Sequence, residues 1–195
     1  MTGTISATEQ TVFLSPNARD ALRHTNGLIV ISGDESSGKS TTLSLMAEGF
    51  RERGRVPVFV RFGLHNADLP LPDGSIVVML PFLETVDNGD EDLASQQDEV
   101  IAEAFSFVAG SGDPYVFIID DLPPALTRQA VLLAEDYPVV VSLKASSALM
   151  AADKLCSDYG FQGFTSPVQS VLAVSIWQQL LTVNNGKKIL RSYTI

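Results

Sequence analysis

The sequence is poor in cysteine: Cys156 is the only one among 195 residues. An internal disulfide is therefore impossible, and we expect a protein of a reducing compartment. Beside Leu155 in a helical pattern, Cys156 is more typical of a small packed apolar side chain than of a nucleophile.

Long apolar runs are also missing. The longest one, residues 76 to 83, is far too short to span a bilayer and contains Pro81. The N-terminus is polar and lacks the apolar core of a signal peptide. We therefore expect a cytoplasmic protein.

Basic side chains are few, with 13 Lys and Arg against 23 Asp and Glu and a net charge of −10. Such a surface repels phosphate backbones, which excludes broad DNA binding. Part of the acidic excess lies in residues 84 to 92, where Asn88-Gly89 marks a turn. A solvated loop explains this stretch better than a cation site does.

The apolar fraction of 45% is enough to bury one sizeable core. The chain has neither internal repeats nor a Gly/Ser linker long enough to divide it. We expect a flexible N-terminus over residues 1 to 12 and a single domain over residues 13 to 195.

Apolar strands alternate with helical patterns along the chain. The pattern predicts strands at 28–32, 56–62, 75–83, 115–119 and 139–143, and helices at 15–24, 42–53, 98–109, 126–135 and 147–159. Residues 168 to 181 are compatible with a further helix or with a helix–strand junction. Residues 183 and 189–195 flank Asn184-Asn185-Gly186-Lys187, a strong hairpin turn signal.

The predicted strands are continuously apolar rather than alternating. This pattern is typical of a parallel sheet that is covered by helices on both faces. In such sheets a nucleotide binds at the carboxyl ends of the strands.

A complete phosphate-binding loop (P-loop, or Walker A motif) follows the first of these strands. Its residues are Gly33, Asp34, Glu35, Ser36, Ser37, Gly38, Lys39, Ser40 and Thr41. A strand before the loop and a helix after it are the context in which this motif binds phosphate. The alternative, a Ser- and Gly-rich turn that matches by accident, leaves that context unexplained.

The residue types in the loop each have a role. Backbone N–H groups and the positive end of the helix dipole surround the anion, and the two glycines leave room for it. Lys39 can reach the β- and γ-phosphates, and the Ser40 hydroxyl can bind Mg²⁺. The sequence therefore predicts binding of a nucleoside triphosphate.

A second pair of candidate residues, Asp120 and Asp121, closes the strand at 115–119 as in a Walker B segment. Asp120 would hold Mg²⁺ with its water shell opposite Ser40, and Asp121 would orient or deprotonate the attacking water. The two roles could also be exchanged. Carboxylates at a strand end can alternatively be ordinary capping or turn residues, and Pro123-Pro124 ensures a turn here in any case.

Several cationic residues have two interpretations each. Lys144 stands at the carboxyl end of the strand at 139–143, where it could sense the γ-phosphate or simply close the strand at the surface. Arg51, Arg53 and Arg55 come at the end of the P-loop helix, where positive charge complements the helix dipole. That structural role is favoured over a role at an interface.

With both Walker segments placed, the chain resembles the ATPase domain of the secretion traffic ATPases, the motors of type II secretion, type IV pili and type IV conjugation systems. The similar segments, in order, are residues 14–16, 26–33, 38–43, 134–135, 140–143, 179–181, 186–187 and 193–195. Only the P-loop run is specific on its own. The resemblance implies a RecA-like α/β P-loop NTPase fold, a mainly parallel sheet with helices on both faces, to which the hairpin signal adds a C-terminal β-hairpin.

The chain departs from that family at three boxes. The family has a Glu-Asp-Pro box after its second strand, where this chain has Arg61-Phe62-Gly63-Leu64. At Walker B the family usually has Gly-Glu and this chain has Asp120-Asp121. Lys144-Ala145-Ser146 takes the place of the family's histidine box. The amino-terminal domain that supplies cationic residues to a neighbour's site in the family falls outside the resemblance, which starts near residue 13.

The leading hypothesis is an ATP-binding, Mg²⁺-dependent ATPase. The resemblance implies a ring, either of this chain alone or with a full-length motor ATPase, docked on an inner-membrane platform protein. Losing a positioned base costs about 10²–10⁴ in rate, so the alternative is a degenerate nucleotide-binding subunit with a regulatory or scaffolding role and little turnover. A small P-loop kinase is a further alternative, although the clustered arginines of an acceptor lid are not found.

Overall fold

A computed structural model describes residues 14–62, 71–80, 99, 102, 103, 105, 106, 113–160, 167–182 and 188–195. The expectations for residues 1–13, for the loop from Gly63 to residue 70 and for the acidic stretch at 84–92 lie outside the described residues.

The described elements follow the predicted alternation. In chain order they are α1 (Pro16–Ala21), β1 (Gly27–Ser32), α2 (Lys39–Arg51), β2 (Val56–Phe62), β3 (Ile76–Leu80), β4 (Tyr115–Ile119), a 3₁₀ turn (Pro124–Leu126), α3 (Thr127–Ala134), β5 (Pro138–Leu143), α4 (Ala148–Asp158), α5 (Pro167–Val171), β6 (Leu172–Thr182) and β7 (Lys188–Thr194). Capping serines start two of the helices: Ser15 accepts the Ala18 N–H, and Ser147 accepts the Met150 N–H.

The described strands form one sheet in the order β3-β2-β4-β5-β1-β6-β7. Strands β1 to β6 run parallel, and β7 is antiparallel to β6 with Leu180 opposite Leu190. The mainly parallel sheet and the antiparallel pairing of the C-terminal hairpin strands are therefore confirmed, while the predicted turn at 184–187 lies outside the described residues. The carboxyl ends of β1, β4 and β5 meet at one edge, which we call the carboxyl edge.

Helices cover both faces of the sheet, and this explains the continuously apolar strands. In β1, Ile29 and Ile31 belong to the apolar cluster under α1 and α2, whereas Leu28 and Val30 belong to the cluster under α3 and α4. All six residues of β1 are buried, as are all six of β5. A strand with two buried faces favours apolar side chains at successive positions, and the buried exceptions here, Ser32 and Ser142, stand near the carboxyl ends of their strands.

The predicted helix at 98–109 is seen in part, because residues 99, 102, 103, 105 and 106 are helical. Phe105 is buried and packs edge-on against Phe117 of β4, with ring centroids 5.7 Å apart. The predicted apolar residues at 100, 101, 104 and 108 lie outside the described residues.

Several boundaries differ from the prediction. Helix α2 spans Lys39–Arg51 rather than 42–53, and β3 is described over Ile76–Leu80, with residues 81–83 outside the described residues. Helix α1 ends at Ala21 rather than near residue 24, because Arg23 and His24 bond three residues back in tighter turns. For residues 168–181, the helix alternative is wrong and the junction is right: α5 gives way to the eleven-residue strand β6. Pairing with β1 on one side and β7 on the other decides the strand, which local pattern alone left open.

Phe117 offers a test of the core. It is fully buried and lies near the rings of Phe105, Tyr115 and Tyr137. Because Phe117→Ala leaves a cavity, we expect it to lower the free energy of unfolding by about 3–5 kcal/mol, measured by urea denaturation. The half-exposed Leu132→Ala is the control. Equal decreases in the free energy of unfolding of the two variants would contradict the buried packing of Phe117.

Candidate functional site

The P-loop lies at the carboxyl edge, between β1 and α2. Two of its residues have left-handed backbone conformations, Ser36 with φ of 57° and Gly38 with φ of 87°. The Ser37 N–H donates to the carbonyl of Asp34 at 3.3 Å, which closes a turn inside the loop. The chain thus folds back on itself before α2 begins at Lys39.

Gly33 is required by a close approach of two backbones. A Cβ atom built at Gly33 would lie 2.4 Å from the Gln178 carbonyl oxygen and 2.5 Å from Ser37 Oγ. Any side chain at position 33 would therefore push the loop away from β6. The absence of a side chain keeps the start of the loop pressed against the sheet.

The Lys39 side chain folds back over the loop. Its Nζ donates to the carbonyl oxygens of Gly33 at 3.1 Å and Asp34 at 2.7 Å. Lys39 is half-buried, and its ammonium group lies against the loop backbone. This position brings positive charge and the start of α2 to the same place, which suits an anion.

Gln178 on β6 connects the middle of the P-loop to the first turns of α2, and sequence reasoning did not identify it. Its Nε2 donates to the Ser37 carbonyl at 3.0 Å, and its Oε1 accepts from the Thr42 hydroxyl at 2.9 Å. The side chain is 1% exposed. The sequence contains a signal for this residue, because glutamine interrupts an apolar run at this point. The signal is hard to use without the strand, since the sequence leaves residues 168–181 open between a helix and a helix–strand junction.

Asp120 and Asp121 lie at the carboxyl end of β4, as predicted, with β5 between them and the P-loop strand β1. The Ser142 hydroxyl of β5 donates to Asp120 Oδ1 at 2.5 Å and accepts the Asp121 N–H at 2.8 Å. Asp121 is exposed and has φ of 54°, so the chain turns sharply at this point. Ser142 was also missed, although it is the one hydroxyl in an otherwise apolar strand.

The two predicted metal ligands fit Mg²⁺ by their chemistry. These ligands are Ser40 and Asp120. Ser40 is exposed in the first turn of α2, as is the neighbouring Thr41, and this turn lies at the same edge of the sheet as Asp120. A hydroxyl and a carboxylate are the hard oxygen donors that Mg²⁺ prefers. The bond from Ser142 fixes the orientation of the Asp120 carboxylate before any ion arrives.

Lys144 contacts the P-loop directly. Its Nζ lies 2.6 Å from Glu35 Oε1, with side chains 63% and 83% exposed. This hydrogen bond and the accompanying charge attraction lower the pKa of Glu35 and raise the pKa of Lys144. Asp34 and Asp121 also raise the Lys144 pKa through their charges, so Lys144 lies where the P-loop meets the end of β4.

The three arginines bond within the fold, at the end of α2 remote from the P-loop. Arg51 pairs with Glu48, Arg53 donates to the Gly49 carbonyl at 2.7 Å, and Arg55 donates to the Tyr115 carbonyl at 3.1 Å. Burial lowers the pKa of Arg55. These intramolecular contacts agree with the structural role, which the sequence favours over a role at an interface.

A tryptophan lies beside the same edge. The Trp177 indole N–H on β6 donates to the Ala145 carbonyl at 3.2 Å, and Ala145 follows Lys144 in the chain. Across the hairpin, the Trp177 and Tyr193 rings have centroids 5.6 Å apart. These contacts connect β6 and β7 to the end of β5.

The architecture is the α/β fold of RecA-like P-loop ATPases. It is similar to the X-ray structure of the Legionella pneumophila ATPase DotB, with a TM-score of 0.61 and 17% sequence identity over 97% of this chain and 50% of that chain. The structure of the pilus retraction motor PilT with bound ADP also has a TM-score of 0.61 and 17% sequence identity, over 93% of this chain and 50% of that chain. The third is the VirB11 ATPase of the Brucella suis type IV secretion system, in complex with sulphate. Its TM-score is 0.57 and its sequence identity 15%, over 90% of this chain and 52% of that chain.

The chain spans about half the length of these three proteins, and at such identities the likeness shows the fold alone. No protein-family model and no curated protein matches the sequence. In the part of the chain that the structure describes, no helix has the length and apolar character needed to cross a membrane.

Gln178→Leu tests the connection between β6 and the P-loop. The substitution replaces the amide with an apolar side chain of roughly similar size and leaves the Ser37 carbonyl and the Thr42 hydroxyl without their buried partner. We expect the free energy of unfolding in urea to fall by about 1–3 kcal/mol. The neighbouring Gln179→Leu, on the opposite face of β6, is the matched control. If Gln178→Leu lowers the free energy of unfolding no more than Gln179→Leu does, the amide of Gln178 does not hold the loop.

Proposed function

We propose that this chain binds ATP with Mg²⁺ at residues 33 to 41 and hydrolyses it, as a component of a secretion, pilus or conjugation apparatus. The observation that carries the proposal is the Lys39 ammonium group, turned back over a P-loop at the carboxyl edge between β1 and α2. The similar folds of DotB and VirB11, which are ATPases, and of PilT, which was solved with ADP, support it.

Each site residue then has one role. The P-loop amides and Lys39 hold the phosphates, with residues 33 to 38 as the cradle and Ser40 and Thr41 at the helix start. Ser40 and Asp120 would hold Mg²⁺, which neutralises charge on the phosphates when it is bound. Asp121 orients the attacking water, a role open to it because its carboxylate is exposed at the turn.

The assembly is proposed from the same likeness. Residues 13 to 195 would act as one nucleotide-binding domain in the cytoplasm, within a ring of identical chains or beside a full-length motor ATPase. An inner-membrane platform protein would be the partner that such a ring drives. Native mass spectrometry with and without MgATP distinguishes a monomer from either ring.

Lys39→Ala tests the nucleotide site. Because it removes a charge-assisted hydrogen-bond donor to the phosphates, we expect MgATP to bind about 10- to 150-fold more weakly in calorimetric titrations. Lys154→Ala removes the same charge from an ion pair on α4 and serves as the control. Wild-type protein that fails to bind millimolar MgATP would refute the proposed function.

The second candidate is the degenerate subunit that binds nucleotide and barely hydrolyses it. The sequence at the end of β2, Arg61-Phe62, favours this candidate, because no carboxylate stands there to assist the chemistry. Steady-state turnover separates the two candidates. A rate above about 1 s⁻¹ would eliminate the degenerate subunit.

Asp121→Asn tests hydrolysis separately from binding. Asparagine tolerates the left-handed backbone at this position, so the turn is kept. We expect phosphate release to fall by about 10²–10⁴ with little change in MgATP affinity. Asp136→Asn, in the exposed turn after α3, is the control. An unchanged rate in Asp121→Asn would rule out this role for Asp121.

A further inference from the structure

The P-loop of this chain carries two carboxylates in the segment that would surround a polyphosphate. Asp34 and Glu35 are both exposed, between Gly33 and the left-handed Ser36. Carboxylates close to an anion oppose its binding through charge repulsion. The loop therefore needs a source of positive charge besides the group that holds the phosphates.

Lys39 is not that source. Its ammonium group, which bonds the carbonyl oxygens of Gly33 and Asp34, is the one that would hold the phosphates, and among the causes that lower the pKa of Glu35 its charge is the smallest. Lys144 supplies the largest ones, through a 2.6 Å hydrogen bond and its charge. It reaches Glu35 from the end of β5, across 109 positions of sequence.

We propose that Lys144 acts on the nucleotide through Glu35: the ion pair neutralises the carboxylate within the P-loop, and the affinity of the loop for a polyphosphate depends on that neutralisation. Lys144 is then a positioning residue rather than a sensor of the γ-phosphate. This inference rests on the proposed function, and it deepens the description of the same site.

The exposure of the pair supports a role in binding rather than in folding. Both side chains are more than half exposed, and such pairs contribute little to the stability of a fold. A charge at the mouth of a site, in contrast, acts on every anion that enters. The contribution of Lys144 to nucleotide affinity should therefore decrease as the salt concentration rises, because salt screens exposed charges.

A double-mutant cycle tests the inference, with calorimetric titrations of MgATP and MgADP at low ionic strength. We expect Lys144→Met to weaken both nucleotides by the same factor, about three- to tenfold, because Glu35 is left with its full charge. In the Glu35→Gln background, the same Lys144→Met change should have less than about a twofold effect. Lys144→Arg should retain most of the wild-type affinity.

The chain offers a matched control pair, Lys154 and Asp158 on α4, whose ammonium and carboxylate also lie 2.6 Å apart. Lys154→Met and Asp158→Asn make the same charge changes away from the P-loop and should leave both affinities unchanged. Circular dichroism establishes that every variant is folded.

Three outcomes have separate meanings. A loss in Lys144→Met that persists in the Glu35→Gln background, or that is confined to MgATP, overturns the inference in favour of direct contact with the γ-phosphate. Equal losses in Lys144→Met and Lys154→Met overturn it in favour of a general charge effect. Absence of binding to the wild-type protein overturns the proposed function itself, and the inference with it.

Discussion

The P-loop keeps its shape because the sheet holds it from the side, through the buried amide of Gln178. This side chain bonds the Ser37 carbonyl before the helix and the Thr42 hydroxyl within it, so the passage from the loop into α2 is fixed to β6. The close approach at Gly33 acts at the same place. Strand β6 is itself paired on both sides, with β1 and β7, and it transmits that rigidity to the loop.

A second polar connection aligns the other half of the site. Ser142 on β5 bonds the side chain of Asp120 and the main chain of Asp121, which belong to the neighbouring strand end. Since β5 pairs with both β1 and β4, one hydroxyl in the middle of the sheet sets the position of the carboxylates relative to the P-loop. The site thus depends on two buried polar side chains, Gln178 and Ser142, within an apolar sheet. The two bonds of Gln178 are buried, and hydrogen bonds are stronger where water is excluded.

Sequence reasoning predicts the central strands well, since β1, β4 and β5 are continuously apolar and bounded by turns. It leaves β6 open because the choice between helix and strand depends on pairing with β1, which no local pattern reveals. The same limit applies to the site. The residues within the motif can be read directly, whereas Gln178 and Ser142 reach it from distant segments of the chain. The contact of Lys144 with Glu35 likewise joins residues that only the fold brings together.

The indole of Trp177 has a practical consequence. Because it is the only tryptophan in the chain, all tryptophan emission originates from a ring hydrogen-bonded to the backbone beside Lys144 and close to Tyr193. Such emission is sensitive to small shifts of a polar neighbour. The molecule therefore contains its own optical probe at the border of the site, and rearrangements at the end of β5 can be followed in real time without attaching a dye.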